Sequence, residues 1–168
     1  MRWIIPLLLA CTVLQTTVVP GLVTQNLRPD LALVLIVGWG SIRGWGEGLL
    51  AGLIGGMLRD ATSAAPFGLN AITLGLLGLV AGLVMERLAR TSILLPVLAS
   101  VGGSIVGFLL SVLGLQAGGW VASWEYALIF EAIPSAALTG LCMALAFPIF
   151  RAVARRLAAD EAGVGREV

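Results

Sequence analysis

The stretch ILLPVLASVGGSIVGFLLSVLGL, residues 93–115, decides the fold class of this chain, and no residue in it is charged. An α-helix rises about 1.5 Å per residue, and the hydrocarbon layer of a membrane is about 30 Å thick. About 20 apolar residues therefore cross the layer as a helix, and this stretch is longer than that. It predicts a transmembrane helix.

Comparable apolar stretches lie on both sides of it. Residues 3–23 and 69–85 carry no charge, and residues 126–150 are interrupted only by Glu131. The chain of 168 residues is 59% hydrophobic and 11% charged, whereas water-soluble domains carry about 25% charged residues. Two shorter apolar pieces, 31–42 and 47–58, are interpreted either as two spans that extend into the headgroup layer or as a re-entrant hairpin buried against protein.

These segments predict an all-α membrane protein, a bundle of six transmembrane helices. The N-terminal stretch follows Arg2 as a signal peptide would, but residues 14–18 offer no small-x-small cleavage site, so it is interpreted as a retained first helix. We expect a single transmembrane bundle over residues 1–157 and a short charged cytoplasmic tail over 158–168. The expected helices span about 3–23, 29–42, 46–59, 69–88, 93–115 and 126–157.

Arginine positions predict the orientation, because cytoplasmic loops near helix ends are enriched in cations. All 10 cationic residues are Arg. With the N-terminus in the cytoplasm, only Arg28 and Arg59 fall on the outer side. We therefore expect both termini to be cytoplasmic.

Composition argues against several classes of function. The chain has no Lys and no His, which removes Schiff-base chemistry and imidazole acid–base catalysis. A net charge of +1 gives no electrostatic reason to expect nucleic acid. Metal, phosphate-loop and nucleophile-elbow motifs are missing, and Cys11 and Cys142 lie inside apolar runs. We expect no enzymatic activity and no cofactor; a lipid-modifying enzyme would need clustered carboxylates or a nucleophile.

Glycines recur four residues apart in three of the predicted helices, the third, the fourth (Gly78 and Gly82) and the fifth. Small residues at this spacing let helix backbones approach closely in lipid. Two interpretations stay open, packing within the bundle and a docking face for the helix of another membrane protein. The candidate residues are Gly48, Gly52, Gly56, Gly103 and Gly107.

Polar residues near the outer helix ends are a second candidate site. Arg59, Asp60 and Asn70 end the third predicted helix and open the fourth, and Glu131 lies inside the sixth. A solvated interface is one interpretation, with Glu131 paired or neutral. The alternative is a polar cavity open to the outer leaflet, and we expect Glu131 to face the bundle interior because exposure of a charge to lipid is costly.

Several of these residues form motifs that resemble the rod shape-determining protein MreD family. They are a Pro-Asp pair that opens the second helix, a Gly-x-x-x-Gly-Leu third helix that ends in Asp60, and a Pro-x-Gly loop that enters the fourth. The resemblance covers most of the chain. Asn70 is a departure, since many relatives carry His there. The remaining motif residues are Pro29, Asp30, Pro66 and Gly68.

The resemblance implies a non-enzymatic, multi-pass component of the bacterial cytoplasmic membrane that acts in rod-shape determination and peripheral peptidoglycan synthesis. Its implied partners are an MreC-like bitopic membrane protein and, directly or indirectly, MreB, RodA and a penicillin-binding protein. The implied fold is similar to the S components of energy-coupling-factor transporters. The alternative function is a vitamin-binding S component itself. Arginines near residues 150–157 also predict contact with membrane lipids.

Overall fold

The computed structural model describes residues 29–62, 67–88, 93–117 and 128–164, together with residues 6, 8–11, 15 and 119. The described part is helical and contains no strand. A π-helical turn, Leu128–Ala132, leads directly into the last helix. The helices with defined bounds are α1 Leu31–Arg43, α2 Trp45–Thr62, α3 Leu69–Leu88, α4 Leu94–Ala117 and α5 Ile133–Val164.

Helix α1 is the central element of the bundle. Most of its residues are buried, and it packs against α2, α3, α4 and α5. Its 13 residues rise only about 20 Å, less than the hydrocarbon thickness, but a short helix is tolerated at membrane depth where protein surrounds it. Gly44 alone joins α1 to α2, with φ of +94°, which glycine adopts without steric cost.

Among the described residues, three helical segments are long and apolar enough to cross a membrane: Leu69–Arg87, Leu94–Gly114 and Leu128–Val153. The expected first span, 3–23, lies largely outside the described residues. Helix α1 is apolar but shorter. Helix α2 differs because it carries Glu47, Arg59 and Asp60. Three of the six expected spans are therefore supported by length and composition.

The last helix differs from the expectation at both ends. It continues to Val164, whereas the sequence predicted an end near residue 157 and a short tail. Alanines at 158, 159 and 162 favour helix and explain the extension. At the other end, Pro134 has no N–H to donate to the preceding turn, and the chain there takes the wider π-helical form.

Candidate functional site

The helices alternate in direction, so the start of α1, the end of α2 and the start of α3 meet at one end of the bundle. Polar residues from five parts of the chain lie there, and we call this group the polar joint. Its members are Gln15, Asp30, Arg59, Asp60, Asn70 and Thr139.

Asp30 links α1 to α2. One of its carboxylate oxygens accepts a hydrogen bond from the backbone N–H of Leu33 at 3.1 Å, which caps the N-terminus of α1. The other oxygen pairs with the guanidinium of Arg59, near the end of α2. The ion pair therefore fixes where α2 ends relative to where α1 begins.

The same turn is held by two further helical residues. The side-chain amide of Gln15 donates to the carbonyl oxygen of Pro29 at 3.0 Å and to the Asp30 carboxylate at 3.5 Å. The backbone N–H of Asp30 donates to the hydroxyl oxygen of Thr139 at 3.0 Å, and that hydroxyl donates to the carbonyl of Ser135. The joint thus connects α1 to α5 as well as to α2.

Asp30 lies immediately outside α1, and its environment favours the charged form. Burial by itself raises the pKa of Asp30, but the positive charge of Arg59 and the hydrogen bonds from Arg59 and the Leu33 amide lower it. The net result is a pKa below the ordinary value for Asp. Folding is therefore linked to ionisation of this carboxyl.

Asp60 links α2 to α3 in the same way. Its carboxylate accepts from the backbone N–H groups of Gly68 at 2.9 Å, Asn70 at 3.1 Å and Ala71 at 3.1 Å. The side-chain amide of Asn70 adds a fourth hydrogen bond at 2.8 Å. An anion at this position satisfies N–H groups that the helix itself leaves without acceptors and interacts favourably with the helix dipole. Asp60 is only 4% exposed, so it closes one helix and caps the next from inside the protein.

The family-like motifs explain how the backbone reaches this geometry. Gly68 has φ of +101°, a conformation that glycine adopts without strain, and it aims its N–H at Asp60. Pro29 comes immediately before Asp30, the cap of α1. Pro66, the remaining motif residue, lies outside the described residues. The described turn residues of the motifs, Pro29, Asp30 and Gly68, thus belong to turns and caps around the two carboxylates.

The chemistry of the polar joint is that of a structural connection. Among the described residues, every buried side-chain nitrogen or oxygen has a hydrogen-bond partner. No group of three or more metal-binding side chains occurs in that same part of the chain. The carboxylates of Asp30 and Asp60 are engaged by cations and amides of the protein itself, so the joint positions helix ends.

Glu131 does not belong to the joint. It lies on the π-helical turn and is exposed, so the expectation that it faces the bundle interior is corrected. The turn places it ahead of a buried stripe that begins at Ala132, on the turn itself, and continues in α5 with Ala136 and Thr139. The four residues proposed for a polar cavity are thus divided: Asp60 and Asn70 bond to each other, Arg59 bonds to Asp30, and Glu131 is separate.

The glycines of α2 pack against α3 of the same chain. A Cβ on any of the three would lie less than 3.0 Å from main-chain atoms of α3, closer than real Cβ atoms come. The helices therefore touch backbone to backbone, and α3 covers the face that was considered for a partner helix. This geometry corresponds to packing within the bundle. The three are Gly48, Gly52 and Gly56.

The glycines of α4 are packed less tightly. A Cβ on Gly103 would lie 3.4 Å from the side chains of Leu33 and Leu77, an ordinary contact distance. A Cβ on Gly107 would lie 3.9 Å from Thr73. Both face the interior, whereas the neighbouring Gly102 is exposed and has nothing within 4 Å.

Two members of the polar joint were missed from the sequence. Gln15 has a visible signal, since it is an amide in an otherwise apolar stretch. Thr139 has none, because threonine is common in apolar helices and its hydroxyl also bonds to the carbonyl four residues earlier.

The opposite end of the bundle carries several arginines. Helix directions place Arg43, Arg87 and Arg151 there. The carboxylate of Glu47 accepts from the indole of Trp39 at 2.9 Å and from Arg43 at 3.3 Å, which braces the turn at Gly44.

Long apolar helices, with the charged groups of α2 confined to its two ends, define a helical membrane protein. Within that class, the family model described as rod shape-determining protein MreD matches residues 1–157, so the chain belongs to the MreD family. The resemblance deduced from the motifs is thereby confirmed. The family consists of shape-determining membrane proteins and is not known as an enzyme family.

No curated protein and no solved structure matches the chain. The alternative function, a vitamin-binding S component, receives no support from the comparisons.

Proposed function

We propose that this protein is a non-enzymatic membrane component of the bacterial cell-elongation machinery that acts by binding an MreC-like bitopic partner. The match to the MreD family over residues 1–157 carries the proposal, since it assigns a role in rod-shape determination. The protein then contributes to peripheral peptidoglycan synthesis and interacts with MreB, RodA and a penicillin-binding protein, either directly or through that partner. No cofactor and no nucleic acid take part.

The proposed topology is six spans in the cytoplasmic membrane, with both termini in the cytoplasm and a fold like that of S components. Two observations support it. The described helices alternate in direction, and the arginine-rich end holds Arg43, Arg87 and Arg151. The polar joint then lies toward the outer side.

We propose a positioning role for the polar joint in this function. By tying together the ends of α1, α2 and α3, it fixes the outer surface that a periplasmic or transmembrane partner meets. Arg59 has a side chain that is 41% exposed, so the joint borders this surface. A polar cavity around Arg59, Asp60 and Asn70 would open at the same place.

Co-purification tests the proposal directly. The tagged full chain is expressed with the MreC-like protein and, separately, with a transmembrane subunit of an energy-coupling-factor transporter, and each pair is isolated in mild detergent. We expect the MreC-like protein alone to be recovered. Recovery of the transporter subunit, or of neither protein, would contradict the proposal.

Reporter fusions test the topology. A cytoplasm-dependent reporter attached after Val168 should be active, and a periplasm-dependent reporter at the same place should be silent. The reverse pattern would exclude six spans with both ends inside.

A further inference from the structure

Glu131 is a carboxylate that the described part of the protein leaves without a partner. No hydrogen bond or ion pair joins it to another of the described residues, whereas Asp30 and Asp60 are each held by several groups. Three of its described apolar neighbours along the chain, Ile129, Phe130 and Ile133, are each more than half exposed. An ionisable group thus lies on a hydrophobic surface.

The position of Glu131 along the bundle follows from the packing of α4 on α5. The two helices run in opposite directions, and Gly140 of α5 faces Val101 of α4. Glu131 precedes Gly140 by nine residues, and nine residues beyond Val101 is Leu110. Glu131 is therefore level with Leu110, inside the apolar segment Leu94–Gly114.

At this depth, neither reaching the membrane surface nor bonding to lipid satisfies the carboxylate of Glu131. Leu110 lies four residues before the end of that segment, which corresponds to about 6 Å of helix. Lys and Arg reach the membrane surface over such distances with long flexible stems, but Glu has a shorter side chain. Lipid tails offer no hydrogen-bond donor, and ionisable groups at such depth are stabilised by pairing with one another or by facing a polar cavity.

We propose that Glu131 pairs with an Arg or Lys on the transmembrane segment of the bitopic partner. Ile129, Phe130 and Ile133 supply the apolar contact around the pair. The inference rests on the proposed function and adds to it the chemistry of the partner: a helix with one cation in its outer half, on an otherwise apolar face. Charge complementarity sets the register between the two proteins, because a cation at another depth does not meet the Glu131 carboxylate.

Charge substitutions at this position test the contact by co-purification. Glu131→Gln should lower recovery of the MreC-like partner about tenfold, and Glu131→Lys should lower it further, since the pair is lost and then becomes repulsive. Glu131→Asp keeps the charge and should retain most of the binding. Glu86→Gln is the matched control, because Glu86 is also an exposed helical carboxylate but lies at the other end of the bundle.

A second arm identifies the partner's cation. A photoreactive amino acid in place of Ile133, with Glu131 intact, should cross-link to the partner's transmembrane segment. Changing the Arg or Lys next to the cross-linked position to Glu should weaken binding, and combining that change with Glu131→Lys should restore it. Each variant is first checked by size-exclusion chromatography for the elution volume of the wild-type protein.

The outcomes separate this inference from the proposed function. If the wild-type chain does not hold the MreC-like protein, the proposed function fails, and the contact fails with it. If the wild type binds but Glu131→Gln and Glu131→Lys bind equally well, the contact alone is wrong. Absence of a cross-link from position 133 in a complex that still binds would also overturn the proposed contact. Because the cross-linking experiment keeps Glu131 intact, it tests the contact even when a charge variant does not fold.

Discussion

Gly52→Ala should destabilise the protein, whereas Gly102→Ala should stabilise it. Both glycines lie within helices, so the same methyl group is added in each case. At Gly52 the new Cβ would overlap the main chain of α3 at Leu74 and Gly75. At Gly102 nothing lies within 4 Å.

The magnitudes follow from these surroundings. Alanine favours an exposed helical position over glycine by about 1 kcal/mol, and at Gly102 this gain stands unopposed. At Gly52 the obstacle is backbone, which cannot rotate away, so α2 and α3 must separate by about 1 Å to reach ordinary contact. Overpacking of this kind costs about 1–3 kcal/mol or more, and the upper end applies here. The two variants should therefore differ by about 3 kcal/mol.

The assay is thermal denaturation of the detergent-purified protein, followed by loss of the monodisperse peak in size-exclusion chromatography. For a chain of this length, about 3 kcal/mol corresponds to a Tm difference of about 6–12 °C. Variants that differ by less than about 2 °C would show that α2 and α3 do not touch backbone to backbone. Such a result would free the face of Gly48, Gly52 and Gly56 for a partner helix.

Three further predictions concern the polar joint. Asp60→Ala removes the acceptor for three backbone N–H groups and should cost about 2–4 kcal/mol in the same assay. The control Glu86→Ala, which removes an exposed carboxylate, should change stability by less than about 0.5 kcal/mol. Equal effects of the two substitutions would contradict capping by Asp60. Because the pKa of Asp30 is lowered in the folded protein, its contribution to stability is complete above the ordinary Asp pKa of about 4 and is lost as the pH falls through the lower folded value. The wild type should therefore lose more stability on acidification than Asp30→Asn. Parallel pH profiles of stability for the two proteins would refute the linkage. Gly68→Ala places a side chain at φ of +101° and should cost about 1–2 kcal/mol, and an unchanged Tm would argue against that turn.

The sequence predicts the helical membrane class because length and hydropathy are local properties. Residues 69–88 and 93–115 were expected to be helical, and the structure has helices at Leu69–Leu88 and Leu94–Ala117. The end of α5 was placed too early because charges near residue 160 suggested a tail, while the alanines around them favour helix.

The polar joint was only partly predictable. Asp60 and Asn70 were expected together because a short loop separates them in the sequence. The pairing of Asp30 with Arg59 depends on which helix ends are neighbours, and no local pattern reports that. Glycine spacing likewise predicts close packing but does not tell a covered position such as Gly52 from an open one such as Gly102. Glu131 was assigned to the interior because exposure of a charge to lipid is costly. The π-helical turn before Pro134, on which it lies exposed, has no clear sequence signal.

The backbone contact between α2 and α3 has a consequence for how the chain enters the membrane during synthesis. Helix α2 carries Glu47, Arg59 and Asp60, so it partitions poorly into lipid when it emerges from the translocon alone. Helix α3 supplies what α2 lacks: a long apolar segment and, at its first turn, the amides that hold Asp60. We therefore expect the two to leave the translocon as one helical hairpin, which makes α3 an intramolecular insertion factor for the helix made before it.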